Sequence, residues 1–576
     1  MNKRTPVWVG WSAAAAGLLL AACGGGSDAA PNPPLPEVRQ IAQGTVKGSN
    51  DAKTTGTYAW KGIPYAQPPI GALRWKAPEP PAAWKGVRKA TAFGHACLQN
   101  GRIYGPGANN TYDDTIATTL NTPVGSEDCL TLNVWRPASA TKDLPVIVFV
   151  HGGSNISGYT ADPVYDGAAL ARNAKAVVVT LNYRLDVLGF LNLPQLKTGT
   201  DSAEDSGNFA LLDIVQALKF VQQNIAAFGG HAGNVTLMGQ SAGAINAWAL
   251  MASPTSAGLF HKIVPLSGGI SLASNLSPGT IPTLNPASTY LAQGNGLLVR
   301  LVIADGLAAD PVSAQAWIAT QSAPQIADYL RGKSGDAILT TVLANGLTGS
   351  GPIPDGTVLP TDPIAAMAAG QYNKVPVLAG NTAEEGKLFA PFLTLLGGPP
   401  GFKINDFDRF HLMAGFNPDA PTLLTEGDIL DAAYVPSNTP GTGWTARAGL
   451  LASAFMAPSR NNVLDTLRAQ QPEVWYYQFD WAQQPAPWNT VYGAAHAFDL
   501  PFLFGNFGPS VFANASNSKA NRPGRLALSG HMMKTLGAFA RTGNPNHAAL
   551  GATWEPWPAQ LRFDATLTEA RISTVP

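Results

Sequence analysis

Charge is scarce in this chain. Only 13% of its 576 residues are Asp, Glu, Lys or Arg, and 37 basic residues balance 37 acidic ones. No basic stripe offers a surface to a phosphate backbone, which excludes nucleic acid as a partner, and no run of like charge marks a disordered tail. Cysteine is scarcer still, three in all, and no two form Cys-x-x-Cys. Neither a His-Glu-x-x-His pattern nor an acidic calcium loop occurs, so no metal or other cofactor is called for. A long apolar run is missing as well. Val7 to Leu20 is too short to cross a bilayer comfortably.

Glycine (60) and proline (47) are plentiful, which implies long ordered loops around a scaffold, and the 45% hydrophobic content can fill a large core. Length alone would allow three or four domains. No internal repeat and no linker occurs after residue 40, so residues 38–576 read as one domain with insertions. Ahead of it, Lys3 and Arg4, the apolar segment and Leu20-Ala-Ala-Cys23 read as an export signal over residues 1–22. The ending resembles the bacterial lipobox, which would make Cys23 a lipidated residue and anchor an exported protein to the membrane. Residues 23–37, rich in Gly, Pro and Asn, would be its flexible tether. With Cys23 so used, Cys97 and Cys129 remain to form one disulfide in an oxidising compartment.

Strand and helix patterns alternate along the chain. Ser126 to Trp135 alternates apolar and polar residues as a half-buried strand does. Pro145-Val-Ile-Val-Phe-Val150 and Ala176-Val-Val-Val-Thr-Leu181 are continuously apolar, as strands covered on both faces are. Ala203 to Phe228 carries apolar residues at helical spacing and stops at Gly229-Gly230. Lys262–Leu266, Val375–Ala379 and Val474–Phe479 read as further strands. The stretch 270–350 is helix-prone and otherwise uninformative. This alternation predicts an α/β fold with a mostly parallel central sheet, helices on both faces, and large loop and helical insertions.

One stretch carries chemistry. The apolar run Asn234–Met238 enters Gly239-Gln-Ser-Ala-Gly243 and an alanine-rich segment leaves it. That is G-x-S-x-G in the strand–turn–helix setting of a nucleophile elbow, with Ser241 at the turn. A serine hydroxyl needs a base within reach and a carboxylate to orient that base, in the chain order Ser, acid, His. Of the later histidines, His411 and His531 fall in helical patterns, His531 at the start of one, and His547 falls in a polar loop. His496 lies in Tyr492-Gly-Ala-Ala-His-Ala-Phe-Asp499, a small-residue loop past a strand, where a base can reach over a sheet edge. Glu384 and Glu385, just past another strand, are the candidate acids. Backbone N–H groups worth about 3 kcal/mol each could hold the oxyanion. Ala242, after the nucleophile, and the Gly153–Ser154 turn fit that need.

From residue 40 to the C-terminus the chain resembles the type-B carboxylesterase/cholinesterase family of α/β-hydrolases. The likeness is carried by Gly62-Ile-Pro-Tyr-Ala66, Ser126-Glu-Asp-Cys-Leu130, His151-Gly-Gly153, Asn182-Tyr-Arg184, Gly239-Gln-Ser-Ala-Gly243, Glu385-Gly386, His496 with Asp499-Leu-Pro501, and Gly543-Asn-Pro-Asn546. The resemblance implies Ser241 as nucleophile, His496 as general base and acid, and Glu385 rather than Glu384 as the orienting acid. It implies an oxyanion hole from Gly153, Ser154 and Ala242, a Cys97–Cys129 disulfide, and ion pairs Arg74–Glu127 and Arg184–Asp213. Ser154 departs from the usual third Gly or Ala, and Gln240 from the common Glu. The expected activity is hydrolysis of small to medium neutral esters through an acyl-Ser241 intermediate, by a monomer. Amide or polymer-ester hydrolysis by the same triad, or a binding protein of this family, are the alternatives. Without a carboxylate at 240, choline esters should be poorer substrates than neutral esters of matched size.

Overall fold

The β-branched runs form the middle of an eleven-stranded sheet in the computed structural model, which describes residues 36–347 and 351–575. The export segment, Cys23 and nearly all of the tether lie outside the described residues. In chain order the strands are β1 (Ser49–Asp51), β2 (Thr57–Pro64), β3 (Thr131–Pro137), β4 (Leu144–Val150), β5 (Val177–Leu181) and β6 (Gly230–Gln240). Then come β7 (Lys262–Leu266), β8 (Val377–Thr382), β9 (Val474–Phe479), β10 (Gln560–Ala565) and β11 (Ala570–Val575). They lie in the order β11-β10-β9-β8-β7-β6-β4-β5-β3-β2-β1. Every pairing from β5 through β4 and β6 to β10 is parallel. The strands outside this block pair antiparallel.

Burial explains why the central runs are apolar at every position. All residues of β4 and β5 are buried, because helices cover both faces. Val146, Val148 and Val150 pack into the core shared with α2 (Phe209–Asn224) and α3 (Ala242–Ala252), with α4 (Trp444–Arg468) at its edge. Ile147 and Phe149 point the other way, into the core built on α1 (Ala168–Ala174) and α5 (Arg522–Thr542). Residues Pro36–Pro576 fall into one compact unit. The chain leaves β4 toward β5 on one side and enters β6 on the other. Such a switch in strand order opens a crevice at the carboxyl ends of β4 and β6, where α/β sheets place their ligands.

Three details differ from the sequence reading. The strand expected over Ser126–Trp135 begins only at Thr131, because Glu127 is held by Arg74 and Cys129 is joined to Cys97. The helix expected over Ala203–Phe228 is continuous only from Phe209 to Asn224. Gly207 in left-handed geometry (φ 75°) and Asn208, bonded to Ile353 and Asp355, set its start. His531 lies inside α5 rather than at its start, since Pro523 and Gly524 obscure the first turn from the sequence. In keeping with its helix-prone pattern, the stretch 270–350 holds four α-helices among the described residues, Ala287–Ala304, Pro311–Ala319, Ala323–Arg331 and Gly335–Ala344.

Both expected ion pairs form. Arg74 meets Glu127 through two bonds of 2.6 and 2.7 Å, and Arg184 meets the fully buried Asp213 through two of 2.6 and 2.8 Å. Burial drives the Asp213 carboxyl upward, and the Arg184 guanidinium offsets part of that rise.

Candidate active site

The site grows from the end of β6. Ser241 turns the chain from strand into α3 with φ 56° and ψ −122°, a conformation that L-residues rarely hold. Its N–H donates to Leu266 O of β7 at 2.8 Å, and its carbonyl accepts from Ala244 and Ile245. The turn is tight enough that a Cβ on Gly243 would sit 2.2 Å from the Val150 carbonyl oxygen. Only glycine fits there, which is the physical reason for the closing Gly of the motif.

The turn after β4 faces this elbow. Gly153 (φ 104°), Ser154 (φ 59°) and Asn155 (φ 57°) follow one another with positive φ. Behind them, Tyr183 donates to the His151 carbonyl (2.9 Å) and to Asn155 Oδ1 (3.2 Å), and Asn246 of α3 donates to Asn155 Oδ1 (2.8 Å). Asp186 N donates to Asn155 O at 2.7 Å. Among the described residues, the N–H groups of Gly153, Ser154 and Ala242 donate to no protein acceptor. The His151 ring stacks on Tyr183 at 4.6 Å, and burial lowers its pKa to about 4, so it is neutral support.

Glu385 follows the end of β8, and His496 lies in the segment beyond β9. His496 Nδ1 meets Glu385 Oε2 at 2.5 Å, with both side chains buried. Asn381 Nδ2 (2.8 Å) and Thr382 N (2.9 Å) donate to Glu385 Oε1. Burial would raise this carboxyl, but His496 and the donated hydrogen bonds hold it below its ordinary value. Glu384 points elsewhere, pairing with Lys387 and accepting from Ala494 N at 2.9 Å. His411 bonds the Phe407 carbonyl on the surface, and His547 meets Thr535. Among the described residues, His496 is the one later histidine that lines the same cavity as Ser241, a space of about 260 Å³ shared with Gly153 and Ser154. A hydroxyl, an oriented imidazole and free amides around one cavity can form and cleave an acyl-serine.

Comparison with known proteins gives the family and the fold. A sequence model described as the carboxylesterase family matches residues 36–570. The chain belongs to the carboxylesterase family. It is 33% identical over 531 residues to a para-nitrobenzyl esterase of Bacillus subtilis, covering 90% of this chain and 91% of that one. It is 32% identical over 554 residues to a human cocaine esterase, covering 94% and 89%. In structure it matches a Geobacillus stearothermophilus carboxylesterase with a TM-score of 0.68 at 29% identity, covering 94% of this chain and 98% of that one. This carboxylesterase is thus an α/β-hydrolase and hydrolyses carboxylic esters.

In this carboxylesterase Gln240, singled out in the sequence, has its Nε2 3.1 Å from His496 Nε2. Other residues of the site were not legible in the sequence. Phe389 packs on the His496 ring at 4.7 Å, and Phe392, Phe498, Phe502 and Phe512 continue an aromatic wall. Arg102 and Asp162 also line the cavity, and burial raises the Asp162 carboxyl to about 6. None of these sits in a local pattern that signals a site. They come from separate segments of the chain that only the fold brings together.

The disulfide partners of the sequence reading also meet here, Cys97 and Cys129 being bonded at 2.02 Å beside the Arg74–Glu127 pair.

Proposed function

We propose that Ser241, His496 and Glu385 form the catalytic triad, and that turnover passes through an acyl-Ser241 intermediate. Ser241 Oγ attacks the ester carbonyl as His496 Nε2 takes its proton, and Glu385 stabilises the resulting imidazolium through Nδ1. The Gly153, Ser154 and Ala242 amides receive the developing oxyanion. The proton on Nε2 passes to the leaving alkoxide, and water repeats the sequence to release the acid. The observation that carries this reading is the 2.5 Å Glu385–His496 contact beside a strained Ser241 in one cavity. Because a neutral Nε2 has one lone pair, Ser241 Oγ takes the place of the Gln240 amide at that nitrogen for the proton transfer.

The cavity volume is just under the usual range of about 300–1,000 Å³ for small-molecule sites, which suits small to medium neutral esters. A neutral amide at 240 offers no charge to a cationic alcohol, so choline esters are expected to be poor substrates. Ser241→Ala should abolish turnover of para-nitrophenyl acetate while leaving the melting transition in place. Persisting turnover would remove Ser241 from the mechanism.

The enzyme is proposed to act as an exported monomer, lipidated at Cys23. The Cys97–Cys129 disulfide accords with an oxidising compartment. Cys23→Ser should abolish incorporation of labelled palmitate and release the protein from the membrane fraction. Unchanged incorporation would refute the anchor.

A further inference from the structure

The loop closed by Cys97 and Cys129 carries a cation that the triad does not use. Gln99 ties this loop to the turn after β4, donating to the Gly158 carbonyl (3.0 Å) and accepting from Gly158 N (2.7 Å). Three residues further on, Arg102 enters the wall of the cavity that holds Ser241 and His496. A second arginine lines the same cavity but is already neutralised. Arg409 pairs with Asp406 at 2.5 Å and lies over the Phe402 ring. Arg102 is half-buried and, among the described residues, its guanidinium forms no hydrogen bond and no ion pair.

Among the described residues, no carboxylate forms an ion pair with Arg102. Asp186, behind the Gly153–Asn155 turn, feels its field, but burial raises that carboxyl to about 7, so it is only about half ionised at neutral pH. Asp162, the other carboxyl in the wall, accepts from Val164 N at 2.9 Å and lies beyond ion-pair distance of Arg102. A guanidinium presents a planar fork of donors that matches a carboxylate in geometry, and it stays charged at any working pH. Held in an aromatic wall near the oxyanion turn, it is a site for an anion that arrives with the substrate.

We propose that Arg102 binds a free carboxylate on the substrate, so that esters carrying one, such as monoesters of dicarboxylic acids, are preferred over neutral esters of the same shape. The inference rests on the ester-hydrolase reading, though not on its preference for neutral esters. The bound carboxylate does not react. Only the ester bond is exchanged, water supplying the hydroxyl of the second acid group and the proton of the released alcohol.

The test compares matched pairs. On the acyl side these are the para-nitrophenyl monoester of adipic acid and its neutral adipamate analogue. On the alcohol side they are para-acetoxybenzoate and para-acetoxybenzamide. A charge-assisted hydrogen bond is worth about 1.5–3 kcal/mol, or about ten- to 150-fold in kcat/KM. At least one carboxylate ester should therefore exceed its amide partner by about tenfold or more. The arm that does so shows which side Arg102 faces. In Arg102→Gln that ratio should fall to about one, Arg102→Lys should keep part of it, and added salt should raise KM for the carboxylate ester alone. Equal rates within both pairs in the wild-type enzyme, or a ratio that survives Arg102→Gln, would overturn the inference while the ester-hydrolase reading stands. No turnover of any of the four esters would instead count against that reading.

Discussion

Asp186→Asn probes the electrostatics beneath the oxyanion turn. Asp186 is 3% exposed, and its carboxylate accepts only the Val187 N–H at 2.8 Å, with Arg102 acting on it from the cavity side. Burial outweighs both and raises the carboxyl to about 7. An unfolded Asp titrates at about 3.9. Between those values the folded chain holds a proton that the unfolded chain has released, so this group makes the fold less stable as pH rises. Each pH step across the gap is worth about 1.4 kcal/mol, and the whole gap about 4 kcal/mol. Asn matches Asp in shape and tolerates the left-handed backbone found here, φ 51°. Any fixed cost of burying its amide is the same at every pH, so the informative quantity is the change in slope. Urea unfolding of both proteins from pH 4 to 8 should show the variant gaining up to about 4 kcal/mol on the wild type, with the gain levelling off above pH 7. The wild type's own profile also contains Asp162 and Asp499, both raised to about 6 by burial, and His151, lowered to about 4 with the opposite sign. Those contributions cancel in the difference. Parallel profiles for the two proteins would refute the argument.

Two further outcomes follow from the triad geometry. Glu385→Gln should lower kcat by about ten-thousandfold, as loss of the orienting carboxylate does in other serine hydrolases, whereas Glu384→Gln, which does not touch the imidazole, should cost far less. Steady-state kinetics on para-nitrophenyl acetate decides between them. Gln240→Glu places a carboxylate against His496 Nε2 and should raise the ratio of choline-ester to neutral-ester kcat/KM. An unchanged ratio would separate residue 240 from alcohol selectivity.

The parts of this molecule that were legible in the sequence are those whose environment is uniform over several residues. β4, β5, β7 and β9 read as strands because nearly every residue in them is buried, which favours apolar side chains along most of each strand. The elbow was legible because its backbone admits so few residue types. Glu385 could not be told from Glu384 by pattern, since the two are neighbours in one loop. Only the fold turns one toward His496 and the other toward Lys387 and Ala494. α4 escaped notice because Pro458 lies inside it and its polar residues blur the period. β10 and β11 were missed because the antiparallel edge strand is mostly exposed and lacks an apolar run. Arg102 stands in a glycine-rich loop with no local signal. Its place in the wall depends on Gln99 meeting Gly158 across 59 residues of chain.

The most direct test of the central claim is active-site titration with diethyl para-nitrophenyl phosphate. The account predicts release of one equivalent of para-nitrophenol per chain, loss of esterase activity in proportion, and a diethylphosphoryl group mapped by mass spectrometry to Ser241. A label on another residue, or full activity after stoichiometric labelling of Ser241, would contradict it.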